Sequence, residues 1–549
     1  MAEMNKWTVM FFFGGDRALS PLVVSQLKAV KDAGYQEQTD VLVHFDSNQQ
    51  GTPMRLYHVN VARKSDPGWP PTMIGDGKDP YVRNMMEDYI GPDAIDEGKG
   101  EASAAMRRAL ESPAQVNAAD ALANFIGYCR ENHPAKHYLL VLVGHGLVVG
   151  NDAFLPDDSP QSAITLREFG TILRDFSQKV RPEGGELEIL AMHSCSMSAI
   201  EVAYQLKGTA NYMMASEGTS YVGSWPYRQL LKKLFNTVEE SKESNEDPRD
   251  VINTLVRKLY KLTLHNATDF MISGYSLDLS LCNLREENFA AFTERFQYLV
   301  RVLKESLRDT PGKELIQLAH LESQSYWQED YTDLFDFCHC LRARCREEDA
   351  LQRAIKDACD ALIGREGERD IGNSFNSIVA FSDNFGSKYQ YSHGLSIYFP
   401  WSEPTDDKPV PHQGARAHDG SQPEGEDDLQ GVMRNYKDYA FTTEFGEHSW
   451  FSFLRDYFRE TKRTARAEEK DGDGFMSADF IPIVFDPFGT LGPGSGKETG
   501  AYSKETGGYG TGCPCPSLKN YPTVEVNIKG RVRRVRAISI SQGLIDAFQ

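Results

Sequence analysis

Residues 189–207 read ILAMHSCSMSAIEVAYQLK, an apolar run that stops at His193-Ser194-Cys195 and resumes as an amphipathic pattern. A strand too apolar to own a solvent face, followed at once by a helical repeat, indicates a parallel sheet buried between helical layers. Three similar runs precede it: WTVMFFF (7–13), DVLVHF (40–45) and HYLLVLVG (137–144). Helical patterns lie between them at Pro21–Ala33, Ala118–Glu131 and Leu166–Gln178, and a fifth strand, NYMMAS (211–216), follows a helix expected to begin at Ser196. The alternation predicts an α/β fold, three layers α/β/α around a mostly parallel sheet.

Outside this block the pattern changes. The stretch 46–100 is rich in Gly, Pro and Asp and is expected to be a long surface insertion. Residues 236–365 are patterned as helices, for example Asp250–Leu262, Asn288–Leu307 and Tyr331–Ala361. HGLSIYFP (393–400) is a late strand, 402–428 an acidic loop, and Ser449–Arg463 a last helix. From 466 the composition shifts to Gly, Ser, Lys and Thr, too poor in apolar residues to order itself. Three regions result: 1–235 with the α/β pattern, 236–465 largely helical with the late strand completing the body, and 466–549 a flexible tail with a basic end.

The 549 residues carry a formal net charge of -20, which opposes nucleic-acid phosphates and anionic lipid as general partners. No run approaches the roughly 18 apolar residues of a membrane span, and the N-terminus lacks a signal h-region with a cleavage site. A cytoplasmic protein is expected. Nine cysteines without framework spacing indicate reduced thiols.

Sites in open parallel sheets collect where strands end and helices begin. HYLLVLVG ends in Gly144-His145-Gly146, and ELEILAM (186–192) ends in His193-Ser194-Cys195. If the two strands are neighbours, His145 and Cys195 face one cleft. A helix N-terminus and an imidazole would favour the thiolate. Glycine after the histidine permits close backbone approach, and the amides of Gly146 and Cys195 could form an oxyanion hole. The pattern is one for acyl transfer.

Several blocks carry a resemblance: KWTVMFFFGGDRALSP, VLVGHG, LPDDSPQSAITLREF, SCSMSAIEVAYQL, YMMASEGTSYVGSWPY, ESQSYWQEDYTDLFDFC and HGLSIYFP, spread over roughly 6–460. Their content and order resemble the clostripain family of cysteine peptidases in the caspase-like clan. The resemblance implies a caspase-like sandwich, a His145/Cys195 dyad and protein substrates. It also implies cleavage after Arg or Lys and latency relieved by proteolysis, either autocatalytic or by an upstream activating protease; a preference for Arg over Lys is expected from the paired hydrogen bonds a guanidinium makes to a carboxylate such as Glu217. An effector role in a stress or defence response is the corresponding expectation.

The family pattern D-x-C-x-M places an acid two residues before the cysteine; here His193 stands there. Glu217 is the substitute acid expected to hold a basic substrate side chain, and Trp225 a candidate pocket wall. Protonation of His193 near its reference pKa of about 6.5 is expected to oppose a basic substrate. Lys179 and Arg181, in the turn before the nucleophile strand, are the candidate processing sites. The competing reading is a catalytically silent caspase-like scaffold that binds peptides. An acyl transferase using the same dyad is a third.

Other signals are discounted. Cys338-His339-Cys340 with Cys345 lies in a helical pattern that points its ligands apart, so no metal is expected there. Residues 469–480 resemble a calcium loop through Gly474, but Phe480 stands where the twelfth-position acid belongs. Calcium is therefore the only cofactor left open, and the expectation is none. Cys513 and Cys515 carry no assigned role, and the arginines 531, 533, 534 and 536 are read as a solvated strand face, with a nucleic-acid or partner patch or a target for a basic-specific peptidase as the alternatives.

Overall fold

In β1 (Asn5–Phe13) every residue from Trp7 onward is buried, so both faces of the strand must be covered. The same holds along most of β2 (Thr39–Phe45), β4 (Ala135–Val143), β7 (Glu186–His193) and β8 (Tyr212–Ala215). The computed structural model describes residues 4–14, 20–46, 55–59, 116–146, 154–158, 161–242, 246–272, 276–326, 330–365, 374–386, 388–401 and 431–471, with short pieces between 101 and 108 and at 403–404. The remaining strands are β3 (Arg55–His58), β5 (Phe154–Asp158), β6 (Gln161–Ile164), β9 (Leu277–Asn283), β10 (Ser325–Tyr326), β11 (Tyr331–Asp333), β12 (Val379–Phe385) and β13 (Ser396–Tyr398).

Eight of them form one sheet in the order β12-β9-β8-β7-β4-β1-β2-β3. β2, β1, β4, β7 and β8 are parallel neighbours, while β3, β9 and β12 join antiparallel. Side chains alternate between the faces. Met10, Phe12, Leu140 and Leu190 pack with helices Ala118–Asn132 and Leu166–Val180. Val9, Phe11, Val141 and Ile189 pack with Tyr227–Glu240 and Pro248–Ile272 on the other face. This is the expected three-layer α/β/α arrangement with a mostly parallel sheet. The first face continues without a break into Phe289–Ser306, Leu334–Arg344, Ala350–Ile363 and the start of Trp450–Asp471, so the later helices share its core.

The sheet is wider than the sequence pattern predicts. LDLSLCN and VAFSDNF, in stretches read as helical or left unassigned, are its strands β9 and β12, and RLYH of the expected insertion is its edge strand β3. HGLSIYFP supplies β13, which joins β10 and β11 in a separate three-stranded sheet. That sheet touches the turn that follows β7 through a bridge between Ala199 and Ser396. The rest of 46–100 and the tail beyond 471 lie outside the described residues.

The contact between these parts includes a buried acid. Glu201, on the helix Ile200–Gln205, accepts the Tyr398 amide (2.9 Å) and the Tyr436 hydroxyl (2.6 Å). Burial pushes its carboxyl up to about 7 despite these bonds. The unfolded chain loses this proton near 4.5 and the folded chain near 7, so the associated stability is present below about 4.5 and is lost as pH rises through 7. Glu201→Gln keeps an oxygen for both donors without the charge. Relative to wild type, the variant should therefore gain on the order of 1–3 kcal/mol between pH 5 and 8. Parallel denaturant titrations at the two pH values check this, and an unchanged difference would contradict it.

Candidate active site

β4 and β7 are hydrogen-bonded neighbours with Val143 opposite His193, so Gly144-His145 and Ser194-Cys195 leave the sheet side by side. His145 and Cys195 are each half-buried, and so is Gly146. A Cβ on Gly146 would lie 1.6 Å from the Cys195 carbonyl oxygen, 2.5 Å from its carbon and 2.9 Å from its nitrogen. Only glycine lets the two loops meet this closely. On the other side a Cβ on Gly144 would come 2.6 Å from Leu155 Cδ2, and the Leu155 amide donates to the His145 carbonyl (3.3 Å). Leu155 adopts φ 47°, an uncommon conformation for a branched residue. Among the described residues no backbone carbonyl accepts from the Gly146 or Cys195 amide.

The turn that follows β7 differs from expectation. Its helix begins at Ile200, not Ser196, and runs for six residues. Ser196, at φ 55°, occupies the left-handed region, which turns the chain away from the helical path directly after Cys195. The turn is held by Ser196 N–H donating to the Gly218 carbonyl (3.0 Å) and Ser198 N–H to the Ser216 carbonyl (2.9 Å). Cys195 therefore lacks a helix N-terminus to stabilise its thiolate. Burial raises its pKa, the backbone of Ser220 partly offsets this, and Asp278 adds to the rise. The Ser220 amide donates to Cys195 Sγ at 3.4 Å.

His193 is 4% exposed, and its bonds identify its state. The Tyr221 carbonyl can only accept, so Nε2 carries the proton and donates to it (2.7 Å), leaving Nδ1 to accept from the Tyr227 hydroxyl (2.6 Å). The ring stacks on Trp225 at 5.0 Å between centroids and 14° between planes. Burial lowers its pKa to about 4. The expected protonation near 6.5 is thus corrected: His193 stays neutral across the physiological range. Trp225, buried at 3% exposure, backs the His193 ring rather than forming an open pocket wall.

Glu217 also requires correction. It is fully buried, and its Oε2 accepts the Gly394 amide (2.7 Å). Burial, then the charges of Asp333 and Asp278, raise its pKa well above the usual carboxylate range. The strand end was legible, but the side chain is buried and bonded to the Gly394 amide rather than exposed to a substrate. Asp278, absent from the sequence reading, accepts the Glu217 (2.5 Å) and Gly218 (2.9 Å) amides and so fixes the loop that reaches Ser220. Its place in the alternating LDLSLCN was the available signal. Asp333 accepts the amides of Asp336 and His393, both at 2.6 Å, and closes this acid cluster. Glu217→Gln is accordingly expected to leave the ratio of arginyl to uncharged substrate turnover unchanged within about two-fold. A selective arginyl loss of the roughly 1.5–3 kcal/mol carried by a charge-assisted bond would return Glu217 to the pocket.

Lys179 falls within the last turn of Leu166–Val180, and Arg181 starts a short 3-10 turn. Arg181 pairs with Glu186 (2.9 Å) and donates to the Gly208 carbonyl (3.0 Å). Both candidates are therefore in regular structure rather than an open turn. Cys338 is fully buried on Leu334–Arg344, whereas Cys340 and Cys345 are half-buried. The helix Trp450–Asp471 runs into the start of the calcium-like stretch, whose remaining positions lie outside the described residues, as do Cys513, Cys515 and the late arginines.

The clostripain family model, Peptidase_C11, matches residues 27–454. Clostripain of Hathewaya histolytica is 21% identical over 325 residues, which cover 51% of this chain and 56% of that protein. The match thus spans little more than half the length of this curated relative. Among solved structures, an inactive zymogen C11 protease from Parabacteroides distasonis is 16% identical, covering 83% of this chain and 99% of its own, with a TM-score of 0.40. A secreted C11 cysteine protease from Bacteroides thetaiotaomicron in complex with an irreversible peptide inhibitor is 13% identical, covering 73% and 95%, with a TM-score of 0.41. The family model takes in most of the chain, both strand-end loops included, and the chain belongs to the clostripain family.

Proposed function

We propose that the protein is a cysteine endopeptidase acting through His145 and Cys195. The observation that carries this reading is the backbone contact between Gly146 and Cys195, which sets the histidine and cysteine loops against each other at the carboxyl ends of the neighbouring central strands β4 and β7. His145 takes the thiol proton, and the sulfur attacks the substrate carbonyl. The amides of Gly146 and Cys195 receive the negative oxygen. Collapse breaks the peptide bond while His145 returns the proton to the leaving amine. Water, activated by His145, then cleaves the thioester and releases the acid. With a thiol pKa raised by burial, general-base assistance is needed for attack.

Proteins are the substrates in this reading. Arg or Lys preference lacks the carboxylate first assigned to it, because Glu217 is buried and His193 is neutral. A neutral His193 would neither repel nor pair with a basic side chain, so cleavage after Arg or Lys stays the specificity proposed, resting on the family resemblance. A peptide-library digest read by mass spectrometry tests activity and specificity together. Cuts mainly after Arg or Lys support the assignment, and cuts mainly after aspartate or large apolar residues overturn the specificity. An absence of cutting leaves the silent scaffold.

Latency belongs to the same proposal, with maturation either autocatalytic or by an upstream protease. Of the two candidates Lys179 is favoured, since Arg181 precedes Pro182, whose ring constrains the bond to be cut. Cleavage there requires the helix end to fray. Sequencing the new N-terminus of any processed chain should show Val180; a fully active, uncut chain would remove processing from the account. A reducing, cytoplasmic setting is consistent with the seven described cysteines, all free thiols. Among the described residues no helix is long and apolar enough to cross a membrane. A stress or defence role is the physiological setting proposed, resting on the family resemblance.

A further inference from the structure

At the opposite end of the sheet from Cys195, three side chains converge. Asp40 is the second residue of β2, His58 ends the antiparallel edge strand β3, and His133 caps the helix Ala118–Asn132 just before β4. Asp40 Oδ1 lies 3.1 Å from His58 Nε2, and Asp40 Oδ2 lies 2.9 Å from His133 Nδ1. One ligand atom from each residue falls within 4.8 Å of the others. A tetrahedral ion with bonds of about 2.0–2.1 Å separates its ligands by roughly 3.4 Å, so small side-chain shifts bring these donors onto one centre.

We propose that Asp40, His58 and His133 form a binding site for a divalent transition ion of the zinc class. Two imidazoles and one carboxylate suit such an ion, whereas calcium and magnesium take oxygen ligands. Water completes the fourth position. All three residues are half-buried, with side-chain exposures of 20%, 21% and 13% in chain order, so an ion can enter without local unfolding.

The surroundings orient the ligands. Asn5 Nδ2 donates to Asp40 Oδ2 (2.7 Å), and Thr8 Oγ1 donates to the His133 carbonyl (2.7 Å). The two imidazoles meet edge to face with centroids 4.5 Å apart. Burial alone would raise the Asp40 pKa, but the bonds from His133 and His58 hold it well below the usual carboxylate range. The imidazole protons that now point at Asp40 must leave those nitrogens, by release or by tautomer exchange, when the ion takes their place.

The ion would tie the sheet's edge strand to the turn between Ala118–Asn132 and β4. Its function is to clamp structure, remote from the proposed dyad. The test uses the untagged, full-length chain carrying Cys195→Ala, which removes the dyad thiol as a competing ligand. Cobalt(II), as probe, should bind at one equivalent with visible bands of nitrogen and oxygen ligation, and zinc should displace it. Loss of an outer partner typically weakens metal sites 10–100-fold, so His58→Gln and His133→Gln should each weaken binding at least about 100-fold. Saturating zinc should raise the Tm by about 2–5 °C in the parent and not in either variant. Circular dichroism without metal verifies folding, and Asp40→Asn supplies a third variant. No saturable binding, equal binding by the variants, or a sulfur-to-cobalt charge-transfer band would overturn the assignment.

Discussion

Replacing Cys195 by alanine is expected to abolish peptide hydrolysis, with kcat/KM falling by at least about 10⁴-fold, while thermal stability changes little. In the proposed mechanism the Cys195 sulfur is the protein atom that bonds covalently to the substrate. Its structural contacts are modest: a 3.4 Å bond from the Ser220 amide and a 3.6 Å approach to the Ser220 carbonyl. Losing them should cost about 1 kcal/mol. Steady-state kinetics and a melting curve on the same preparation separate the two effects. His145→Ala should act similarly on rate, because a thiol raised by burial must be deprotonated before it attacks. Turnover by Cys195→Ala within a few-fold of wild type would end the nucleophile assignment.

Gly146→Ala should have the second largest effect. The added methyl would meet backbone atoms of Cys195 at 1.6, 2.5 and 2.9 Å, none of which can rotate away as a side-chain tip could. Relief requires moving the histidine loop or the nucleophile turn. A displacement of about 1 Å at a reacting centre costs on the order of 100-fold, and a misplaced oxyanion donor a further 10²–10³-fold. Stability should fall by about 1–3 kcal/mol from overpacking. Gly144→Ala is a graded comparison, since its methyl would meet the Leu155 side chain, which can shift. Equal activity of Gly146→Ala and wild type would show that the two loops do not act together.

The central parallel strands and the strand-end position of both loops were legible because runs such as WTVMFFF and HYLLVLVG leave no polar face. β9 was not, because Asp278 and Ser280 interrupt LDLSLCN and resemble solvent positions, yet both are buried. Asp278 caps two amides and Ser280 meets Ser198 at 2.5 Å, satisfactions that only tertiary structure provides. The delayed helix after Cys195 was hidden for a related reason. Ser196 takes a left-handed conformation that glycine would have announced. Glu217 shows the limit of strand parity: its position at the end of β8 was readable, but its inward direction depends on Gly394, 177 residues away. His193 was read by its reference pKa, whereas burial against Trp225 and Tyr227 decides its charge.

In the proposed mechanism the meeting of the two loops presents Cys195 as a nucleophile to a bound peptide. Incubating the full-length protein with a peptidyl acyloxymethyl ketone and mapping the adduct by mass spectrometry tests this directly. One adduct per chain on Cys195, strongly reduced in His145→Ala and competed by peptide substrate, is the predicted result. Labelling that ignores His145, or that falls on another of the cysteines while hydrolysis proceeds, would contradict it.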